Sequence, residues 1–207
     1  MADRSTQQGA ATALARREVS YEAEHDVTSK GLGLSIETTT WGEPSPPEAD
    51  LDDACRAAAL AYAARIQRMS VGVIGPGEDD PIDAWTSLFI RPFGLKLLEV
   101  MRFGPLRRDG EGSYYFEVVG GLLRSLHEPE KIGRLTFEWW RDGDVERFRT
   151  AVKDYRSRLV GKRANVLQRA FYSATQMLAH RLVMWRYHVW VQRDRPLLLE
   201  ASPPEVE

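Results

Sequence analysis

The polar and apolar positions alternate with a period of two over much of the chain, then switch to a helical period near its end. In 19–27, Val19, Tyr21, Ala23, His25 and Val27 share one side and Glu22, Glu24 and Asp26 the other, which describes a strand with one solvated face. A turn at 28–31 leads to a second alternating run, with Leu32, Leu34, Ile36 and Thr38 on the expected inner side and Ser35, Glu37 and Thr39 opposite. The two runs are expected to pair as a hairpin. The proline-bearing stretch 42–49 reads as a linker, after which Asp50 is suited to cap a helix whose first turn holds Asp52 and Asp53. Its stripe is Leu51, Cys55, Ala58, Ala59, Tyr62, Ile66 and Met69, mostly small, so its partner should approach closely.

The loop expected at 71–80, rich in Gly, Pro and acid, could cover a pocket mouth; it lacks the Lys-Ser or Lys-Thr ending of a phosphate-binding loop. Segments 86–91 and 95–103 are ambiguous between strand and short helix. Strands are expected at 114–119, 134–141 and 145–155, with turns at 109–112 and 142–144 and a bulge or bend at Gly120 and Gly121. In 134–141 one face carries Leu135, Phe137 and Trp139, the other Thr136, Glu138 and Trp140. The last helix is expected over 162–193, with Leu167, Ala170, Phe171, Ala174, Met177, Leu178, Leu182, Trp185 and Val189 as its stripe. The fold class that follows is α+β, a curved antiparallel sheet with a long C-terminal helix and a second helix after an N-terminal hairpin. One domain is expected over 18–195, with tails at 1–17 and 196–207.

Rotating the last helix by roughly 100° per residue sets Arg181 between Ala174, Leu178 and Trp185, and His188 beside Met184 and Trp185. A cation facing a core costs several kcal/mol unless paired. Arg181 is therefore expected to point inward, either to a sheet carboxylate such as Glu117 or Glu138 or to an anionic ligand. His188 reads either as a satisfied core histidine or as a proton carrier, and His25 joins it from the inward side of the first strand. Tyr62 and Tyr115 are pocket-lining candidates, with packing as the simpler reading. Val183, Tyr187 and Trp190 make the nominal outer side of the helix apolar too, so the tail at 197–199 or a second subunit should cover it.

Composition narrows the function. The 28 basic and 30 acidic residues give a net charge of −2, without the basic excess of a nucleic-acid binder. The cluster Arg156, Arg158, Lys162, Arg163 and Arg169 reads as a solvated corner or an anion site. A single cysteine, Cys55, excludes an intramolecular disulfide or a thiolate metal cluster. The four histidines, His25, His127, His180 and His188, lack metal-ligand spacing, so no metal or other cofactor is expected. There is no nucleophile elbow, no apolar run long enough to span a membrane, and no secretory signal in the opening residues. A cytoplasmic protein is the expectation.

Over 114–193 the runs YYFEVVGGLL, GRLTFEWWRDGD, RFRTAVKDYRSRL and NVLQRAFYSATQMLAHR are similar to the helix-grip proteins of the START/polyketide-cyclase (SRPBCC) superfamily. The resemblance implies a curved sheet gripping the last helix around an apolar cavity. It also implies a small hydrophobic ligand, aromatic or polyketide-like, with cyclase- or dehydratase-type chemistry in some members. The superfamily has no universal catalytic residues, so none is carried over. This chain departs from it in opening on a hairpin and one clear helix instead of one strand and two helices. On the ligand reading Arg181 polarises an oxygen, His188 moves a proton, and His25, Tyr62, Tyr115, Glu117, Glu138 and Trp185 contact the ligand. The rival is a non-catalytic interaction domain with a packed core, docking a partner or a second copy through the outer face of the last helix.

Overall fold

The computed structural model describes residues 19–27, 33–47, 49–77, 86–90, 95, 98–121, 133–155 and 166–200, with side chains in the last stretch from Arg181 on. The elements are β1 (Val19–Val27), β2 (Gly33–Trp41), α1 (Leu51–Met69), β3 (Ile74–Pro76), β4 (Thr86–Ile90), β5 (Leu98–Phe103), β6 (Arg107–Gly110), β7 (Ser113–Gly120), β8 (Gly133–Asp142), β9 (Val145–Tyr155) and α2 (Val166–Glu200). One antiparallel sheet runs β1-β2-β9-β8-β7-β5-β4-β3, with β6 added to β7. It curls into a half-barrel that holds the two helices on its concave side, an α+β helix-grip.

The hairpin forms as expected, with Tyr21 opposite Thr39 and His25 opposite Ser35. On β1 the expected sides hold, since Ser20, Glu22 and Glu24 are exposed while Val19, Tyr21 and Ala23 are half-buried. On β2 they are reversed: Ser35, Glu37, Thr39 and Trp41 face inward and are buried, and Leu34 and Ile36 take the outer face. Period two forces all four to share a face, so burying the large Trp41 carries Glu37 inward with it.

Asp50 caps α1 by accepting the N–H groups of Asp52 (2.9 Å) and Asp53 (3.0 Å). The small stripe Ala54, Cys55, Ala58 and Ala59 is fully buried. It lets α2 come close enough for the Tyr187 hydroxyl to donate to the Ala58 carbonyl at 2.8 Å. The ambiguous segments form β4 and β5, and the expected loop at 71–80 contains the edge strand β3, where Pro76 is tolerated. Strand β6 was not anticipated by the alternation because its four residues are all exposed.

The expected bend lies where the register of β5 and β7 shifts, between Arg102 paired with Gly120 and Phe103 paired with Val118. Gly121 has a φ of +87°, and a Cβ there would meet the Val100 carbonyl oxygen at 2.6 Å and the Met101 nitrogen at 2.7 Å. Gly121→Ala is therefore expected to lower stability by about 1–3 kcal/mol, measured by urea unfolding; an unchanged midpoint would show that the bend relaxes freely.

Helix α2 continues through Pro196 to Glu200, beyond the expected end at 193; the ring forgoes one bond, to the Gln192 carbonyl. Its rotation also corrects the sequence reading. Val183, Met184, Tyr187, His188, Trp190 and Val191 are buried, whereas Arg181, Leu182, Trp185 and Val189 are exposed. Two apolar stripes compete on this helix, and the aromatic one wins because Tyr187 and Trp190 pack on α1. The rings of Tyr62, Phe103, Phe137, Phe148 and Tyr187 interlock at centroid distances of 5.3–6.4 Å between α1, α2 and the sheet.

Candidate functional site

A band of polar side chains lines the concave wall where β1, β2 and β9 face α2. The reversed face of β2 supplies Ser35, Glu37 and Thr39, β9 supplies Thr150, and α2 supplies His188, all of them buried. Ser35 Oγ donates to Glu37 Oε1 at 2.8 Å, and Thr150 Oγ1 lies 3.4 Å from Glu37 Oε2. The His188 ring is held at both nitrogens, Nδ1 at 2.8 Å from Thr39 Oγ1 and Nε2 at 2.9 Å from Thr150 Oγ1. A neutral imidazole donates from one nitrogen and accepts at the other, and hydroxyls can answer either. Burial pulls the His188 pKa down to about 4 against a smaller opposing effect of Glu37, so the ring is neutral near pH 7.

Tyr21 completes the band. Its ring stands edge-on to His188 at 5.3 Å. Its hydroxyl oxygen is buried, without a hydrogen-bond partner among the described residues. Burial, then the Glu37 charge, raises its pKa above the usual phenol value, so it remains a donor.

A second buried cluster lies at the other end of β9. Glu146, fully buried, accepts from Ser45 N (2.8 Å), Ser45 Oγ, Trp139 Nε1 (2.8 Å) and Arg195 Nε (3.0 Å). Burial alone would raise the Glu146 pKa; the hydrogen bonds from Ser45, Arg195 and Trp139 outweigh it and hold the pKa below the ordinary value. Arg195 also donates to the Glu43 carbonyl at 3.1 Å and lies over the Trp41 ring. A buried arginine of the last helix paired with a sheet carboxylate thus exists, but it is Arg195 with Glu146. Arg181 is exposed, because the helix is turned so that His188 and Arg195 meet the sheet.

The remaining sequence candidates separate. Tyr62 is buried at the centre of the ring cluster, its hydroxyl 3.7 Å from Met184 Sδ. Tyr115, Glu117 and Glu138 lie on the convex face: Arg134 stacks on Tyr115, Arg107 approaches Glu117 at 3.9 Å, and Arg149 bonds Glu138 at 3.1 Å. Period two excludes them from the concave side that Tyr114, Phe116 and Phe137 occupy. Trp185 is 46% exposed and contacts solvent, not the core. His25 sits on β1 two residues beyond Ala23; its side chain, like His127, His180 and the cluster at 156–169, lies outside the described residues. The alternation missed Ser35, Glu37, Thr39, Thr150, Glu146 and Arg195, and the one available signal was Trp41 in phase with Glu37.

An open cleft of about 580 Å³ near the start of α1, bordered by Asp52, Gly112, Trp140 and Arg141, lies away from this band. In it Asp52 accepts from Gly112 N and Tyr114 OH at 2.7 Å each, and the terminal nitrogens of Arg141 donate to the carbonyls of Pro46, Pro47 and Ala49, while Arg141 Nε is buried without a partner among the described residues. Among the described residues no three His, Cys, Asp or Glu side chains are placed to hold a metal ion, and no helix is long and apolar enough to cross a membrane.

The fold is a helix grip, with a polar band set into an otherwise aromatic concave wall. That assignment rests on the strand order and the helix placement. No family model and no curated protein matches the chain. Similar solved structures include protein Ms6760 from Mycobacterium smegmatis, at 9% identity and a TM-score of 0.42, covering 85% of this chain and 99% of that one. Ara h 8.0201 has 9% identity and a TM-score of 0.39, covering 75% and 97%. CalU16 from Micromonospora echinospora has 12% identity and a TM-score of 0.32, covering 89% and 100%.

Proposed function

We propose that the protein binds a small, largely hydrophobic molecule, aromatic or polyketide-like, between the sheet and α2, and orients it by one polar group. The observation that carries this reading is the Tyr21 hydroxyl, buried and, among the described residues, unanswered beside the Glu37–Thr150–His188 band. A buried hydroxyl without a partner costs about 1–3 kcal/mol, and a ligand oxygen accepting from it would remove that cost. A wholly structural wall would place apolar residues there, as the same wall does at Phe137, Trp139 and Phe148. The high Tyr21 pKa suits a donor to a carbonyl or phenolic oxygen.

On this reading His188 is a positioning residue. Both its nitrogens are committed to threonines, so it fixes the wall instead of moving a proton. Any cyclase- or dehydratase-type turnover would then come from shape and from Tyr21 polarising an oxygen. The buried, free Cys55 fits a reducing compartment such as the cytoplasm.

Native mass spectrometry of the purified protein is the direct test, with a co-purified small molecule as the expected result. Tyr21→Phe should keep the fold, leave stability unchanged or slightly raised, and weaken retention of that molecule about tenfold, the worth of one hydrogen bond. A ligand-free protein that binds no aromatic compound in a broad screen would overturn the reading.

A further inference from the structure

Among the described residues the strand at one end of the sheet is open. In the strand order β1 has a neighbour only on the β2 side, so among the described residues alternate positions of Val19–Val27 present N–H and C=O groups with no strand partner. The opposite edge is blunted, since β3 has three residues and ends at Pro76. Strand β1 has nine residues and neither Pro nor Lys.

Beside this edge lies the apolar row that the sequence had placed in the core. Tyr187 and Trp190 direct one side of α2 to α1, which itself packs over β7 and β8. His188 and Arg195 direct another side to the sheet. At roughly 100° per residue, Trp185 and Val189 then project from the flank opposite α1, where Tyr21 of β1 meets His188. Trp185 and Leu182 are 46% exposed and Val189 41%. Arg181, also exposed, is near enough to act on the Tyr21 hydroxyl electrostatically. On the other face of β1, Glu22 and Glu24 are exposed.

We propose that the β1 edge and the Leu182–Trp185–Val189 row form one docking site for an extended segment of a partner protein, added to the sheet as a further antiparallel or parallel strand. The edge fixes the backbone form of the occupant, because only an extended chain answers a row of strand amides and carbonyls. The faces fix its side chains. Those on the α2 side are apolar, to cover Trp185 and Val189, and Arg181 disfavours a cation there. Those on the outer side are Lys or Arg, opposite Glu22 and Glu24. A second copy is disfavoured by the same charges, since two β1 strands paired across a two-fold axis would set Glu22 and Glu24 against their own like.

The test is a displayed library of random ten-residue peptides selected on the intact protein. The expected winners alternate apolar with Lys or Arg, and hydrogen exchange in their presence slows at the amides of 19–27. Trp185→Ser should weaken them about tenfold or more, as truncation of an aromatic anchor does. The double change Glu22→Lys with Glu24→Lys should switch selection toward Asp and Glu. All three residues are exposed, so circular dichroism and the melting temperature should stay as in the parent. Failure to enrich any peptide, winners without alternation, protection confined to other elements, or affinity indifferent to both variants would each overturn the proposal. So would a concentration-dependent dimer in sedimentation that itself protects 19–27, which would make a second copy the occupant.

Discussion

Arg195→Met is expected to destabilise the protein by about 3–5 kcal/mol, because it leaves the Glu146 carboxylate buried without its cation. The pair is enclosed: Arg195 is 7% exposed and Glu146 not at all. The carboxylate keeps its bonds from Ser45 and Trp139, but these are neutral donors and cannot offset a full charge. The double variant Arg195→Met with Glu146→Gln should recover most of the loss, since no charge then remains to be solvated and Gln still offers an oxygen to Ser45 or Trp139. Urea unfolding of the four proteins gives the cycle. A single variant within about 1 kcal/mol of the parent would mean that water reaches the pair. Because the Glu146 pKa is lowered on folding, its contribution is present above the unfolded carboxylate value and fades as pH falls through the folded one.

Acid should weaken the fold earlier, and through His188. Its folded pKa is about 4 against an ordinary 6.5, so the unfolded chain binds the proton first. Stability is then full above pH 6.5 and declines as pH falls toward 4, by about 3 kcal/mol from this residue alone. Protonation would also require both ring nitrogens to donate at once, to Thr39 and Thr150. His188→Gln removes the titration, and the difference in unfolding free energy between parent and variant isolates it from the carboxylates. Parallel pH profiles for the two proteins would show that the imidazole is hydrated and that the buried band is open to solvent.

Much of the architecture was legible because period and capping act locally. The hairpin, the Asp50 cap, the small-residue stripe of α1 and the bend at Gly120 and Gly121 all follow from residues within a few positions of each other. The site was not legible, for two reasons. Alternation tells which residues share a face of β2, yet the choice of inner face depends on what stands opposite, and here Thr150 and His188 do. The rotation of α2 is underdetermined in the same way. Leu182, Trp185 and Val189 make as good a stripe as Met184, Tyr187 and Val191, and only the small surface of α1 that receives Tyr187 decides between them. Arg195 lies two residues beyond the helix end expected at 193, so the sequence reading took Arg181, fourteen positions and nearly four full turns earlier, as the inward arginine.

The position of α2 after the sheet in the chain order has a consequence for synthesis. Residues 19–155 leave the ribosome before His188 and Arg195 do, so the completed strands first meet water with Glu146, Thr39 and Thr150 lacking their helix partners. At that stage a charge and two hydroxyls that will be buried stay hydrated, and the concave wall cannot close over them. The nascent sheet is therefore held open until the final helix arrives, with its aromatic face and the β1 edge accessible to holding chaperones. Closure is then a single late event, in which packing, the ion pair and the threonine–histidine bonds form together over large sequence separations, which favours slow folding.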